Sequence, residues 1–186
     1  MKMNKFYKSF EARHVLSQDA AEYSDSNKKK AATCLARLKS KSIVALLNAS
    51  SVEADTFSDA LYMSEKVIKF AEFADTSSTK AFNDNLDAAF RTAMLCKRNN
   101  VNVTKLDIEA SMLNTHEAAD DRKHLVFKRN ARHSSAAQVQ QCIDALQRMN
   151  IIKSVSRNEY SVNISAIAER MIDVLKLDMT AVESAA

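Results

Sequence analysis

Apolar residues recur at three- and four-residue spacing along most of the chain, which is the period of amphipathic helices. Over residues 28–47 the series Ala31, Leu35, Leu38, Ile43, Leu46 and Leu47 predicts one helix. Residues 52–74 set Phe57, Leu61, Ile68 and Ala71 on one stripe and Met63, Val67, Phe70 and Ala74 on its neighbour, a second helix with a broad apolar face. A third helix is predicted over 79–98, with Phe82, Leu86, Ala89, Phe90, Ala93 and Met94 inward. The alternation Val101, Asn102, Val103 reads as a short strand. Thr104 then caps a short helix, supported by Asp107 three residues on, a variant of the capping box. Leu106, Ala110 and Leu113 are expected to face inward there.

The period fails over 116–133, where a loop or a short β excursion surrounds Leu125, Val126 and Phe127. Ser134 or Ser135 next caps a helix whose core positions are Val139, Cys142, Ile143, Leu146 and Met149. The runs IIKSV and EYSVN follow, joined by Ser156, Arg157 and Asn158, and predict a β-hairpin pinned to the core by Ile151 and Ile152. Residues 164–177 predict a last helix that closes the core or pairs with a second subunit, and 178–186 a frayed tail. Residues 1–26 carry no sustained period and read as an arm with a short helix over 6–16. The fold class is mainly α. Its parts are the arm (1–26), a helical hairpin for dimerisation or partner contact (27–76), a module interrupted by the 116–133 insertion (77–163), and the C-terminal helix and tail (164–186).

Composition sharpens this picture at the turns. The chain has 186 residues with Gly 0 and Pro 0, where ordinary usage would supply about twenty of the two together. Glycine-rich phosphate loops and the GxSxG nucleophile elbow are thereby excluded. Turns fall to Asn, Asp and Ser, and one asparagine of the pair Asn99 and Asn100, and Asn150, stand where glycine would take the left-handed conformation. The three cysteines, Cys34, Cys96 and Cys142, lie far apart in apolar helical patterns and read as reduced core thiols. With no long apolar run and no secretory signal, a cytoplasmic location and no membrane association are expected.

Charge points to a partner. The formal net charge is +4, yet residues 122–157 hold Arg122, Lys123, Lys128, Arg129, Arg132, Arg148, Lys153 and Arg157 against the single acid Asp144. The rest of the chain is net negative, so positive charge is concentrated on one unit, the footprint of polyanion binding. Residues 28–41 are also basic, and KKK at Lys28, Lys29 and Lys30 is expected to be a solvated helix start.

From residue 79 onward the order is helix, short strand, short helix, interruption, helix, hairpin. With the phrase LQRMNIIKSV running from helix into hairpin, this second half resembles the winged helix-turn-helix fold. The resemblance implies a third helix in the major groove and a wing on neighbouring phosphates. It assigns Lys128, Arg129 and Arg132 to phosphate, Ser135 to a base or phosphate contact, Gln138 and Gln141 to bases, and Lys153 and Arg157 to the wing.

No catalytic grouping competes. His116, His124 and His133 match no metal-ligand spacing, Asp107 and Glu109 fall on different faces of a short helix, and no nucleophile has a base beside it. The expectation is a non-enzymatic protein without cofactor or metal that binds double-stranded DNA, as a transcriptional regulator or a replication accessory factor. Its composition fits a phage or plasmid gene. The alternatives are a helical adaptor whose winged module contacts another protein, and RNA binding by the same basic patch. A homodimer through the N-terminal helices or the C-terminal helix is also expected.

Overall fold

The computed structural model describes residues 3–16, 23–58, 60–76, 83–113, 115–128 and 135–180. In chain order they form α1 (Lys5–Glu11), α2 (Asp25–Arg37), α3 (Lys41–Ala49), α4 (Leu61–Thr76), α5 (Asp84–Arg98), β1 (Val103–Thr104), α6 (Lys105–Met112), α7 (Ala136–Arg148), β2 (Ile152–Ser156), β3 (Glu159–Val162) and α8 (Ala166–Leu175). The fold is mainly helical, with one small antiparallel sheet in the order β1-β3-β2. Val103 pairs with Tyr160, and Ile152 with Val162.

The N-terminal segment is core rather than arm. Phe6 and Phe10 are fully buried on α1, and Phe6 meets Phe57 edge to face at 5.4 Å between ring centroids. A π-helical turn, Ala12–Leu16, continues α1.

The helix predicted over 28–47 is two helices. Ser40 adopts extended backbone and its Oγ accepts from the Ile43 N–H, so a fresh N-cap begins where α2 has ended at Leu38. The break lets Leu38, Ile43 and Leu47 all reach the core. The Leu38 carbonyl it leaves accepts from Asn4 Nδ2 at 2.8 Å. Likewise the helix predicted over 52–74 divides into a 3₁₀ turn, Ala54–Ser58, and α4.

Both apolar stripes of α4 are buried within this chain, against α2, α3, α7 and α8. The surface read as a dimer contact is thus occupied by the protein's own core. Across that packing Arg37 Nε of α2 meets Glu72 Oε2 of α4 at 2.6 Å. α8 closes the core with Ile167, Ala168 and Met171, which are fully buried. One continuous hydrophobic cluster joins residues from Phe6 to Met171, across the boundaries drawn at 26/27, 76/77 and 163/164.

Asparagine does replace glycine. Asn100, Asn150 and Asn158 have φ of 55°, 54° and 65°, joined by Ser51 and Lys176. Asn150 adds something glycine would lack, since its Nδ2 donates to the carbonyls of Ser50 and Ser51, each at 2.9 Å. The Thr104 capping box forms, with Thr104 Oγ1 accepting from Asp107 N–H and Asp107 Oδ2 accepting from Thr104 N–H. The face of α6 differs from expectation: Leu106 is 63% exposed, while Ile108 and Met112 join Ala110 and Leu113 inside. The described part of the insertion holds a 3₁₀ helix, Asp120–Leu125, in place of a β excursion.

Candidate nucleic-acid interface

Three structures meet around α7: its cap, its packed flank and the hairpin it feeds. Ser135 is the N-cap, its Oγ accepting from Gln138 N–H at 3.4 Å while Gln138 Oε1 accepts from Ser135 N–H at 2.9 Å. This reciprocal box satisfies two amides that the helix start would otherwise leave open. Gln141 is half-buried, and its Oε1 accepts from Lys66 Nζ of α4 at 3.3 Å. Gln140, which is exposed, donates to Asp144 at 2.8 Å. Neither glutamine expected to read bases is therefore idle, and α7 is flanked by α4, α5, α6 and β2. On α7 only Ala136, Ala137 and Gln140 are fully exposed. Sequence reasoning missed Lys66, because 75 residues separate it from Gln141 and no local pattern reports such a contact.

The hairpin stands differently. Every residue from Lys153 to Asn158 is exposed, while Ile151, Ile152, Tyr160 and Val162 are buried and hold the base of the hairpin. The tip is fastened from the side: Asn158 C=O accepts from Lys105 N–H at 2.8 Å, and Glu159 accepts from Asn102 Nδ2 at 2.9 Å and from Ser156 Oγ at 3.0 Å. Those two side-chain hydrogen bonds, Asn102 first, hold the Glu159 carboxyl below its ordinary range. A shift in register between Ser154 and Ser156, with Asn158 in the left-handed region, closes the turn. The result is a fixed projection carrying Lys153 and Arg157, neither paired with a carboxylate among the described residues. Beside it, Leu106, Lys105, Glu109 and Arg157 line a shallow recess of about 400 Å³.

The basic window is less available than its formal charge implies. Arg122 is turned inward. Its Nε donates to Asp107 Oδ1 at 2.9 Å, and its Nη2 to Asp107 Oδ2 at 2.6 Å and to the Asn102 carbonyl at 2.8 Å. Burial alone would push the Asp107 carboxyl up, but the Arg122 hydrogen bonds and then the Thr104 bonds outweigh it, and the carboxyl titrates below its ordinary range. Lys123 pairs with Asp120 at 2.6 Å. Both acids lie outside the window over which charge was counted, which is why the sequence overstated it. Lys128 is exposed, whereas Arg129 and Arg132 lie outside the described residues.

The expected site residues therefore separate into two groups. Ser135 and Gln138 sit at the start of α7, and Lys153 and Arg157 lie beyond its other end. A helix of 13 residues puts roughly 20 Å between those ends. Burial pushes all three thiols up, Cys34 and Cys96 to about 12 and Cys142 to about 11. Among the described residues no three His, Cys, Asp or Glu side chains gather as metal ligands, and no helix is long and apolar enough to cross a membrane. Comparison of the chain with protein-family models, curated proteins and solved structures found no match.

Proposed function

We propose that the chain is a DNA-binding protein of the winged helix-turn-helix kind, a transcriptional regulator or replication accessory factor, which grips the duplex mainly through its backbone. The observation that carries this reading is the projecting hairpin, exposed from Lys153 to Asn158 and bearing two cations without carboxylate partners among the described residues. The sheet order β1-β3-β2, with α5, α6 and α7 around it, supports the same reading. Contacts at both ends of α7 would span roughly 20 Å, or about six base pairs at 3.4 Å each. Phosphate contacts of this kind position a protein without reading sequence, in keeping with Gln138 being engaged in its own helix cap and Gln141 with Lys66.

The test is a fluorescence-anisotropy titration of a mixed-sequence duplex over a salt series. Wild type should bind with a steep salt dependence, and the Lys153→Ala, Arg157→Ala double variant should flatten the log–log slope by about 1.8, two phosphates' worth. Gln141→Ala should leave base preference unchanged. Absence of binding at low salt, or an unchanged slope in the double variant, removes the reading. A duplex RNA run in parallel separates DNA from RNA.

A second reading, a helical adaptor, is favoured by Leu106 at 63% and Val155 at 58% exposed beside the same hairpin. An adaptor would lose its protein partner on Leu106→Ser and Val155→Ser while tolerating loss of Lys153 and Arg157.

A further inference from the structure

A cleft lies between the C-terminal half of α5, Phe127 and the segment 175–179 that follows α8. Its volume is about 240 Å³, below the range typical of drug-sized ligands and matched to a molecule of about eight to ten heavy atoms. Met94, Leu95, Phe127, Leu175 and Leu177 make its walls apolar. Two guanidinium groups reach it, and they are not equivalent. Arg91 is committed, its Nε donating to Asp87 at 2.9 Å and its Cζ lying 4.9 Å from the centroid of the Phe127 ring. Arg98 is held more loosely: its Nη1 pairs with Asp178 at 3.6 Å, beyond hydrogen-bond length, and its Nε, enclosed by the protein, has no hydrogen-bond partner among the described residues. Asp178 is itself 64% exposed and turns its other carboxylate oxygen to Thr180.

The enclosed Nε is out of a ligand's reach, which leaves the terminal Nη1 and Nη2 of Arg98 as the donors a ligand could meet. A guanidinium fork is suited to a planar carboxylate that takes two of its N–H groups at once. We infer that this cleft is a binding site for a small monocarboxylate with an apolar body, the head taken by Arg98 and the body by the walls of α5 and the 175–179 segment. Among the described residues its lining cations, Arg91, Arg98 and Lys176, outnumber its lining carboxylate, Asp178, so an anion is favoured over a neutral or cationic ligand. Asp178 is the group such a ligand displaces. This site is independent of the nucleic-acid reading, since none of the described residues assigned there lines it.

The test uses the full chain, ¹⁵N-labelled, titrated with sodium hexanoate, 1-hexanol and sodium acetate and followed by amide shifts. Hexanoate should bind saturably with Kd on the order of 1 mM or tighter, moving amides of α5 and of residues 175–179. Hexanol, which keeps the tail, and acetate, which keeps the head, should each bind about tenfold or more weakly. Arg98→Gln should lose about tenfold for hexanoate and nothing for hexanol. Arg98→Lys keeps the charge, loses the fork and should weaken hexanoate in the same direction, which serves if the glutamine variant fails to fold. Equal affinity for hexanoate and hexanol, shifts that do not saturate or that fall elsewhere, or a well-folded Arg98 variant that binds as wild type overturns the proposal.

Discussion

Replacing Arg122 with Met strands a buried carboxylate. Asp107 is 2% exposed and Arg122 24%, so the pair belongs to the class in which removing one partner costs about 3 to 5 kcal/mol. Asp107 keeps the Thr104 N–H as a donor at 2.7 Å, and Arg122 is partly hydrated, which brings the expected cost to about 2 to 3 kcal/mol. For a chain of this size that is a fall in Tm of about 5 to 10 °C. Urea unfolding followed by circular dichroism measures it. The cost should depend on pH with a definite sign. In the wild type the Asp107 carboxyl titrates below its ordinary range, so its stabilising contribution is present above the unfolded value of about 3.9 and is lost as pH falls through the folded value. In the variant burial acts without the cation, the carboxyl titrates higher, and the penalty should be larger at pH 7 than near pH 4. Adding Asp107→Asn to Arg122→Met should recover part of the loss, because no buried charge remains unpaired. A cost below about 0.5 kcal/mol, or one equal at both pH values, would refute the assignment of Arg122 to the interior and return it to the basic surface.

Two further outcomes follow from the fold. Cys34, Cys96 and Cys142 are fully buried with thiols pushed to about 12, 12 and 11; a thiol reagent should find none in the native protein at neutral pH and all three in denaturant, and prompt native labelling would contradict the core. Asn100→Gly should be neutral or stabilising by up to about 1 kcal/mol, whereas Asn150→Gly, which loses two side-chain hydrogen bonds to Ser50 and Ser51, should destabilise by about 1 kcal/mol. Equal effects in thermal unfolding would mean that the Asn150 bridge contributes nothing.

What could be read from the sequence is what depends on neighbours three or four residues apart. Thr104 with Asp107, Ser135 as N-cap and the left-handed asparagines obey rules confined to one turn of chain, and the hairpin followed from Asn150 and the alternation after it. The inward face of α6 was misread because Lys105–Met112 is only 8 residues long, too short for its period to fix a phase when Leu106 and Ile108 are both apolar. The burial of Phe6 and Phe10, the Lys66 contact to Gln141 and the Arg122 contact to Asp107 all depend on where distant segments come to rest. The candidate site divides the same way: Lys153 and Arg157 project as their turn predicts and Gln138 is held by Ser135 one turn away, while Gln141 is held by Lys66 from a distant helix.

Ser50 closes the account of how the chain is held together. It is 2% exposed, and its Oγ accepts from the Ile167 N–H at 2.8 Å, across 117 residues of sequence. One amide at the start of α8 is thus capped by a hydroxyl made long before it. During synthesis at about 5 to 20 residues per second, that serine waits roughly 6 to 23 s for its partner. Until α8 arrives, the apolar surfaces of α3 and α4 that it covers remain open. The nascent protein therefore passes through a period in which α8 is missing and the apolar faces it covers on α3 and α4 are exposed, and a ribosome pausing before α8 would prolong that aggregation-prone stage.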